Sequence, residues 1–264
     1  MRIAFLGALW LALAGPAAAQ PGPFVFTTTT TSDQTRPALR FDYDIGIAER
    51  AFQSDVANQP EERVGVQASR GRLTLLARFG MTDAGSAYQS TQSAEALFSV
   101  LKGGKGIDLA AGGGVLHEAS GVDVLLAHIV AGRNTSASHL YGNLVFEKPL
   151  AAAAPRDSVD LITSVGWARN VSRNTSLGVE AVGEDLEGFW NPHEAEGGAR
   201  LLAGPSLHVT SVGGRWRLTA TGGPEFHSTL SGVSSTALRD LPSGVRRSNF
   251  AVRVGLSVSL SSMQ

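Results

Sequence analysis

Strict alternation of apolar and polar side chains near the carboxyl end of the chain constrains the fold more than any other feature. From Ser248 to Leu260, every second residue starting at Phe250 is apolar, and the residues between are small or polar. This period of two predicts a β-strand, because successive strand side chains point to opposite faces. The alternation lasts about twice the usual strand length of about 5–6 residues, which suits a tilted strand crossing a bilayer.

Eleven further stretches between residues 38 and 227 alternate in a similar way, although Ala94–Leu101 also has the composition of a helix. The sequence thus predicts about twelve strands, within a range of about 10–14. Short turns such as Arg70–Gly71 alternate with long polar connections such as residues 228–246. This asymmetry is typical of transmembrane barrels, in which periplasmic turns are short and outer loops are long. Hydrocarbon cannot satisfy an open strand edge, so the sheet is expected to close.

The first twenty residues have the order of a secretory signal peptide. Arg2 provides a basic start, Ile3–Gly15 is apolar, and Ala17–Ala19 forms a small-residue cleavage site before Gln20. We therefore expect residues 1–19 to be removed during export.

The mature chain is expected to comprise a short lead-in and one domain. Residues 20–37 contain Pro, Gly and a run of five Thr, which predicts a flexible periplasmic lead-in, with an extra edge strand over Phe24–Thr31 as the alternative. Residues 38–264 are predicted to form a single β-barrel domain.

Charge and composition exclude several classes of protein. The chain has 22 Lys and Arg against 23 Asp and Glu, so it lacks the basic field that nucleic-acid binding requires. It has no cysteine and therefore no disulfide framework. No apolar run of about 18 residues follows the signal peptide, which excludes helical membrane spans.

The sequence predicts no cofactor and no catalytic site. The Gly103–Gly106 stretch lacks the spacing of a phosphate-binding loop. His128 shares a strand face with apolar residues and points either to lipid or into a crowded lumen, but no H-x-S or G-x-S-x-G element accompanies it. A structural histidine is the preferred interpretation.

The alternating pattern over residues 38–260 resembles that of bacterial outer-membrane β-barrel proteins of the porin type. The segments HLYGNLVFEKPL and LGVEAVGEDLEGFWNPHEAEGGARLLAGPSLHV look like parts of small uncharacterised Gram-negative envelope proteins. The resemblance implies an all-β, antiparallel, up-and-down transmembrane barrel located in the cell outer membrane. Its partners would be outer-membrane lipid and the barrel-assembly machinery. The chain ends in Ser261–Gln264, without the terminal aromatic residue usual in such barrels.

The polar strand faces carry charges of both signs and are predicted to line the lumen. Because arginine keeps its charge, each inward arginine is expected near a carboxylate. Arg253 is expected beside Asp42 and Asp44, since the first and last strands adjoin at closure. The predicted lumen-lining residues are Arg40, Asp42, Asp44, Arg78, Glu180, Arg215, Arg217 and Arg253. In the loop over residues 186–197, Phe189, Trp190 and His193 are expected to contact the barrel mouth.

These features predict a passive small-solute channel or a structural envelope component, with a lumen largely filled by ion pairs. The alternatives are a lipid-modifying barrel enzyme and a soluble, secreted β-sandwich binding protein. The sequence leaves the solute and the oligomeric state open.

Overall fold

The protein is described by a computed structural model over residues 24–29, 34–47, 60–83, 87–101, 106–150, 159–190, 199–227 and 248–261. Within these ranges, no helix reaches the length and apolarity needed to cross a lipid bilayer.

Twelve β-strands and one short 3₁₀ helix, Leu186–Phe189, make up the regular structure of the described residues. The strands are β1 Gln34–Ile47, β2 Glu61–Gly71, β3 Leu73–Asp83, β4 Tyr88–Leu101, β5 Asp108–His117, β6 Asp123–Asn134, β7 Ser138–Pro149, β8 Asp160–Asn170, β9 Thr175–Glu184, β10 Arg200–Thr210, β11 Trp216–His227 and β12 Ser248–Ser261.

Each strand pairs antiparallel with the next one along the chain, and β12 returns to pair with β1. The closing register sets Leu39 opposite Leu260 and Asp44 opposite Gly255. The result is a closed up-and-down barrel without a free sheet edge, as the sequence predicts. Since a sandwich would leave two open sheets, the β-sandwich alternative is wrong.

β1 and β4 both begin earlier than the sequence pattern predicts. β1 begins at Gln34 rather than at residue 38. β4 begins at Tyr88 rather than at Ala94, and the helix alternative for Ala94–Leu101 is wrong. The reason is that the polar stretch Tyr88–Ser93 pairs along its whole length with β3. Backbone hydrogen bonds with β3 therefore hold it as a strand, although its side chains lack the alternation that predicts one.

The connections lie in two groups at opposite ends of the barrel. One end carries the connections 48–60, 84–87, 118–122, 150–159, 185–199 and 228–247. The other end carries residue 72 and the connections 102–107, 135–137, 171–174 and 211–215. Apart from 84–87 and 118–122, the first group is the longer, so the predicted asymmetry between the two ends is present.

The barrel surface is inverted relative to that of a water-soluble protein. Outward side chains are apolar and exposed; Val64 and Phe98, for example, are both 51% exposed. Inward side chains are mostly polar and buried, including Arg253 at 1% and Glu180 at 2% exposure. This sorting follows from the period-two pattern, and it leaves an apolar wall that suits hydrocarbon better than water.

The described part of the predicted lead-in, Phe24–Thr29, lies inside the barrel. Phe24 and Thr27 are buried, and the backbone of the segment bonds to inward side chains of the wall. None of these six residues forms a strand, so the edge-strand alternative does not describe them. The segment therefore contributes to the filling of the lumen, which a flexible lead-in would not do.

We expect Val254→Asp to destabilise the barrel more than Ser257→Asp. Val254 faces outward near the middle of β12, where a carboxylate in hydrocarbon costs up to about 2 kcal/mol. Ser257 lines the lumen and lies opposite Asp42 on one side and Arg217 on the other, so an added carboxylate has a cation beside it. The unfolding free energies of both variants can be measured in lipid vesicles by denaturant titration monitored through tryptophan fluorescence. Equal losses would contradict the assignment of the two faces.

Candidate functional site

The candidate site is a cavity of about 200 Å³ within the lumen. The β1–β4 side of the barrel forms one wall, and residues 24–28 with parts of β6–β9 form much of the other. Both walls carry polar groups. The charged or imidazole side chains that line the cavity are Arg40, Asp42, Asp44, Arg63, Arg78, Glu95, His128, Glu147 and Arg217.

Asp44 on β1 lies between two arginines, Arg63 on β2 and Arg253 on β12. Its Oδ1 accepts a hydrogen bond from Arg63 Nε at 2.8 Å and contacts Arg253 Nη1. Arg253 also donates through Nη2 to Glu61. Each charge thus has an opposite charge beside it, which is the arrangement that a buried arginine requires. The cluster joins β1, β2 and β12 at the seam where the barrel closes.

Two further ion pairs line the cavity. Arg40 Nε lies 2.8 Å from Asp42 Oδ2, on the same face of β1. Glu95 Oε1 lies 3.7 Å from Arg78 Nη1, and Glu95 Oε2 lies 2.8 Å from His128 Nδ1. His128 is only 3% exposed and points into the lumen, which resolves the two orientations that the sequence leaves open.

Glu180 holds the backbone of the internal segment rather than an arginine. Its Oε1 accepts hydrogen bonds from the amides of Phe26 at 2.7 Å and Thr27 at 2.6 Å. Its Oε2 accepts from the amide of Val25 at 3.1 Å and from Thr221 Oγ1 at 2.8 Å. The carboxylate is therefore stabilised by hydrogen-bond donors from consecutive peptide units, a mode of anion stabilisation familiar from oriented backbone amides.

Three other inward groups complete the contacts of the segment. The side-chain amide of Asn143 accepts from the Thr28 amide at 2.7 Å and donates to the Thr28 carbonyl at 2.9 Å. The Phe24 ring meets that of Tyr141 edge to face, with centroids 6.5 Å apart. Gly166 lies beneath the same ring.

Seven of the eight predicted lumen residues have inward positions in the strands. Arg40, Asp42, Asp44, Arg78 and Arg217 line the cavity, and Glu180 and Arg253 are buried beside it. Arg215 instead lies in the connection 211–215, because the turn continues through this residue and β11 begins only at Trp216.

The predicted contact of the 186–197 loop with the barrel mouth involves three residues. Phe189 ends the 3₁₀ helix and is 36% exposed, while Trp190 is 73% exposed. An indole with so much exposed surface contributes little burial as an anchor. His193 lies outside the described residues.

Sequence reasoning missed three residues that contribute to the lumen contacts. Glu61 and Glu95 supply opposite charges named above, and Asn143 binds the segment. All three have the inward parity of their strands, so the alternation could have identified them. Nothing in the residues 24–29 signals their location, because they bind largely through backbone groups.

The chemistry available here is recognition of polar solutes by paired charges of both signs. In the part of the chain that the structure describes, no cluster of three or more His, Asp or Glu side chains could hold a metal ion.

Comparison with solved structures identifies the architecture. The NanC porin superposes with a TM-score of 0.56 at 9% identity, covering 83% of this chain and 100% of the porin. The KdgM porin in complex with disordered oligogalacturonate superposes with a TM-score of 0.50 at 9% identity, covering 86% of this chain and 99% of that porin. No protein-family model and no curated protein matches the sequence. The chain therefore has a barrel fold similar to that of bacterial outer-membrane porins.

We expect Arg253→Ala and Asp44→Ala to be strongly coupled in a double-mutant cycle. The two side chains are in direct contact, so the coupling energy should fall within about 0.5–3 kcal/mol. The unfolding free energies of the wild type, both single variants and the double variant in lipid vesicles give this quantity.

Asp42→Ala provides the matched control, because Asp42 lies on the same face of β1 but pairs with Arg40. Its coupling to Arg253→Ala should stay below about 0.5 kcal/mol. Equal coupling of Arg253 to both aspartates would contradict the specific pairing at the seam.

Proposed function

We propose that the protein is an outer-membrane barrel that provides a narrow passage or holding site for small polar solutes. The observation that supports the proposal most directly is the polar cavity of about 200 Å³ inside a closed wall with an apolar exterior. An apolar exterior places the barrel in lipid, and a charged interior provides the polar route that such a barrel can offer.

Paired charges and the internal segment make the passage narrow. A barrel of about eight strands is filled by side chains and one of about sixteen leaves an aqueous channel, so the lining decides the bore of a twelve-stranded barrel. Here Arg40, Arg78 and Arg217 project into the cavity, and Phe24–Thr29 fills part of the remaining space. The ion-paired lumen therefore supports a restricted channel rather than a wide one.

A structural role in the envelope is the second candidate. The closed ion-pair seam at Asp44 and Arg253 supports it, since that seam stabilises the wall without requiring transport. Solute passage distinguishes the two functions.

We expect the unmodified protein to partition into detergent, to migrate faster unboiled than boiled, and to show little steady conductance in planar bilayers. Removing side chains from the lining should widen the passage, so Arg78→Ala combined with Arg217→Ala should raise the conductance. Arg133→Ala is the matched control, because Arg133 is exposed at the end of β6 and lies outside the lumen lining.

Two results would count against the proposal in different ways. Large, stable conductance of the unmodified protein would contradict the narrow lumen and leave the barrel intact. Absence of conductance even after both arginines are removed would contradict the channel and favour the structural role.

We also expect no phospholipid hydrolysis, so His128→Gln should leave lipid turnover at background. The His128 ring faces the lumen against Glu95, which separates it from the lipid that would contact the outer wall. Release of fatty acid from vesicles, with protein-free vesicles as the blank, measures the activity. A turnover that is lost specifically in the variant would favour the enzyme instead.

A further inference from the structure

The contacts between the lumen wall and Phe24–Thr29 are of the kind that bind a bent peptide segment, since residues 25–27 form bends that turn consecutive amides toward one side. Glu180 accepts three consecutive backbone amides, and Asn143 bonds both the amide and the carbonyl of Thr28. These side chains come from β9 and β7, and a fourth donor to Glu180, the Thr221 hydroxyl, comes from β11. Such a two-sided set of contacts matches the hydrogen-bonding pattern of a peptide backbone.

Two aromatic side chains of the segment occupy apolar parts of the wall. Phe24 belongs to one buried cluster with Tyr141 and Ala168. Phe26 packs against a second cluster of Val182, Leu202 and Ala251. Aromatic rings at alternate positions of the segment therefore lie in two separate patches, and its backbone lies on Glu180 between them.

Gly166 makes room for the Phe24 ring. A Cβ at this position would approach Cγ of Phe24 to 2.8 Å, closer than non-bonded carbon atoms come. Gly166 is buried and faces the lumen on β8. The ring and a side chain at residue 166 thus exclude each other.

The segment also borders the open part of the lumen. The cluster that contains Phe24 continues along the inner wall to Leu97 on β4 and Leu76 on β3. The open cavity lies beside the segment, and residues 24–26 and 28 form part of its wall. Removing the segment would join its volume to the cavity.

We infer that Glu180, Asn143, Tyr141 and Gly166 form a peptide-binding seat in the lumen, and that the seat is filled by the chain's own Phe24–Thr29. Occupancy of the seat keeps the channel narrow, and release of the segment widens it. The chemical class of ligand is a short peptide, bent so that three consecutive amides meet one carboxylate, with aromatic residues at alternate positions. This inference rests on the channel function proposed above.

The covalent connection favours the chain's own segment as occupant. Only residues 30–33 separate Thr29 from the start of β1 at Gln34. A short tether gives an effective concentration on the order of millimolar, which a free peptide would have to exceed.

A disulfide between Phe24→Cys and Gly166→Cys tests the seat directly in the full chain. The two Cβ positions are at most about 4.3 Å apart, because Cγ of Phe24 lies 2.8 Å from the Cβ position of residue 166 and one carbon–carbon bond adds about 1.5 Å. Disulfides require a Cβ separation of about 3.5–4.5 Å. The chain has no native cysteine, so no other pair can form.

We expect the oxidised double-cysteine protein to be cross-linked and to conduct no more than the unmodified protein in planar bilayers. Reduction should raise the conductance reversibly, because the cysteine at residue 24 lacks the aromatic contacts that hold the segment. Heat-modifiable gel mobility in both states verifies that the barrel is folded.

A matched pair of glycine substitutions separates the seat from the rest of the lumen. Gly166→Ala should release Phe24 and raise the conductance. Gly142→Ala should leave it unchanged, because Gly142 has the outward parity of β7 and a Cβ there meets nothing nearer than the Ser164 backbone oxygen at 3.6 Å, an ordinary contact. Glu180→Gln should raise the open fraction about tenfold, since hydrogen bonds to a charged acceptor are the strong ones.

The outcomes distinguish this inference from the channel proposal. A folded protein that fails to cross-link would overturn the seat. Equal conductance before and after reduction would overturn the link between occupancy of the seat and the width of the channel. The same link would be overturned if Gly166→Ala did not raise the conductance while the Arg78→Ala and Arg217→Ala double variant did. If none of these variants raised the conductance, both the channel proposal and the gating by the segment would be overturned.

Discussion

Pairing of β1 with β12 is the interaction on which the other features of the structure depend. It joins residues about two hundred positions apart and removes the last free strand edge. Once the sheet is closed, every strand has one face toward a common interior and one toward the surroundings. The period-two sequence then places apolar groups outside and polar groups inside, and the inverted surface is a consequence of closure. The Arg253 contact with Asp44 stabilises this seam from the inside.

Closure also determines how charges are compensated. Twelve strands enclose a lumen narrow enough that inward side chains reach one another across or along the wall. Asp44 is therefore shared by arginines from two neighbouring strands, and Glu95 by a cation and an imidazole. Pairing of this kind offsets the desolvation that isolated buried charges would suffer.

The sequence predicted the barrel, the strand number and the facing of most charged residues, because alternation reports facing directly. It placed Arg253 beside the pair Asp42 and Asp44 but did not predict which of the two would bind it, because individual partners depend on register. Asp42 and Asp44 are indistinguishable by pattern, yet the register sets Arg253 on Asp44 and leaves Asp42 to Arg40. The start of β4 was missed because Tyr88–Ser93 is held by backbone pairing with β3 rather than by an apolar face. The same limitation explains why the location of the internal segment was not predicted, since its backbone hydrogen bonds do not depend on a pattern of side chains.

Glu180 shows how far the interior depends on long-range assembly. Its carboxylate is almost fully buried, so in the absence of donors its charge would strongly destabilise the barrel. The donors come from Thr221 on β11 and from residues 25–27, which precede β1. Pairing of β9, β10 and β11 brings Thr221 to Glu180, whereas the three amides come from the amino-terminal segment. The seat therefore depends on contacts between distant parts of the sequence, and the segment that fills it supplies three of the four hydrogen bonds to Glu180 described above.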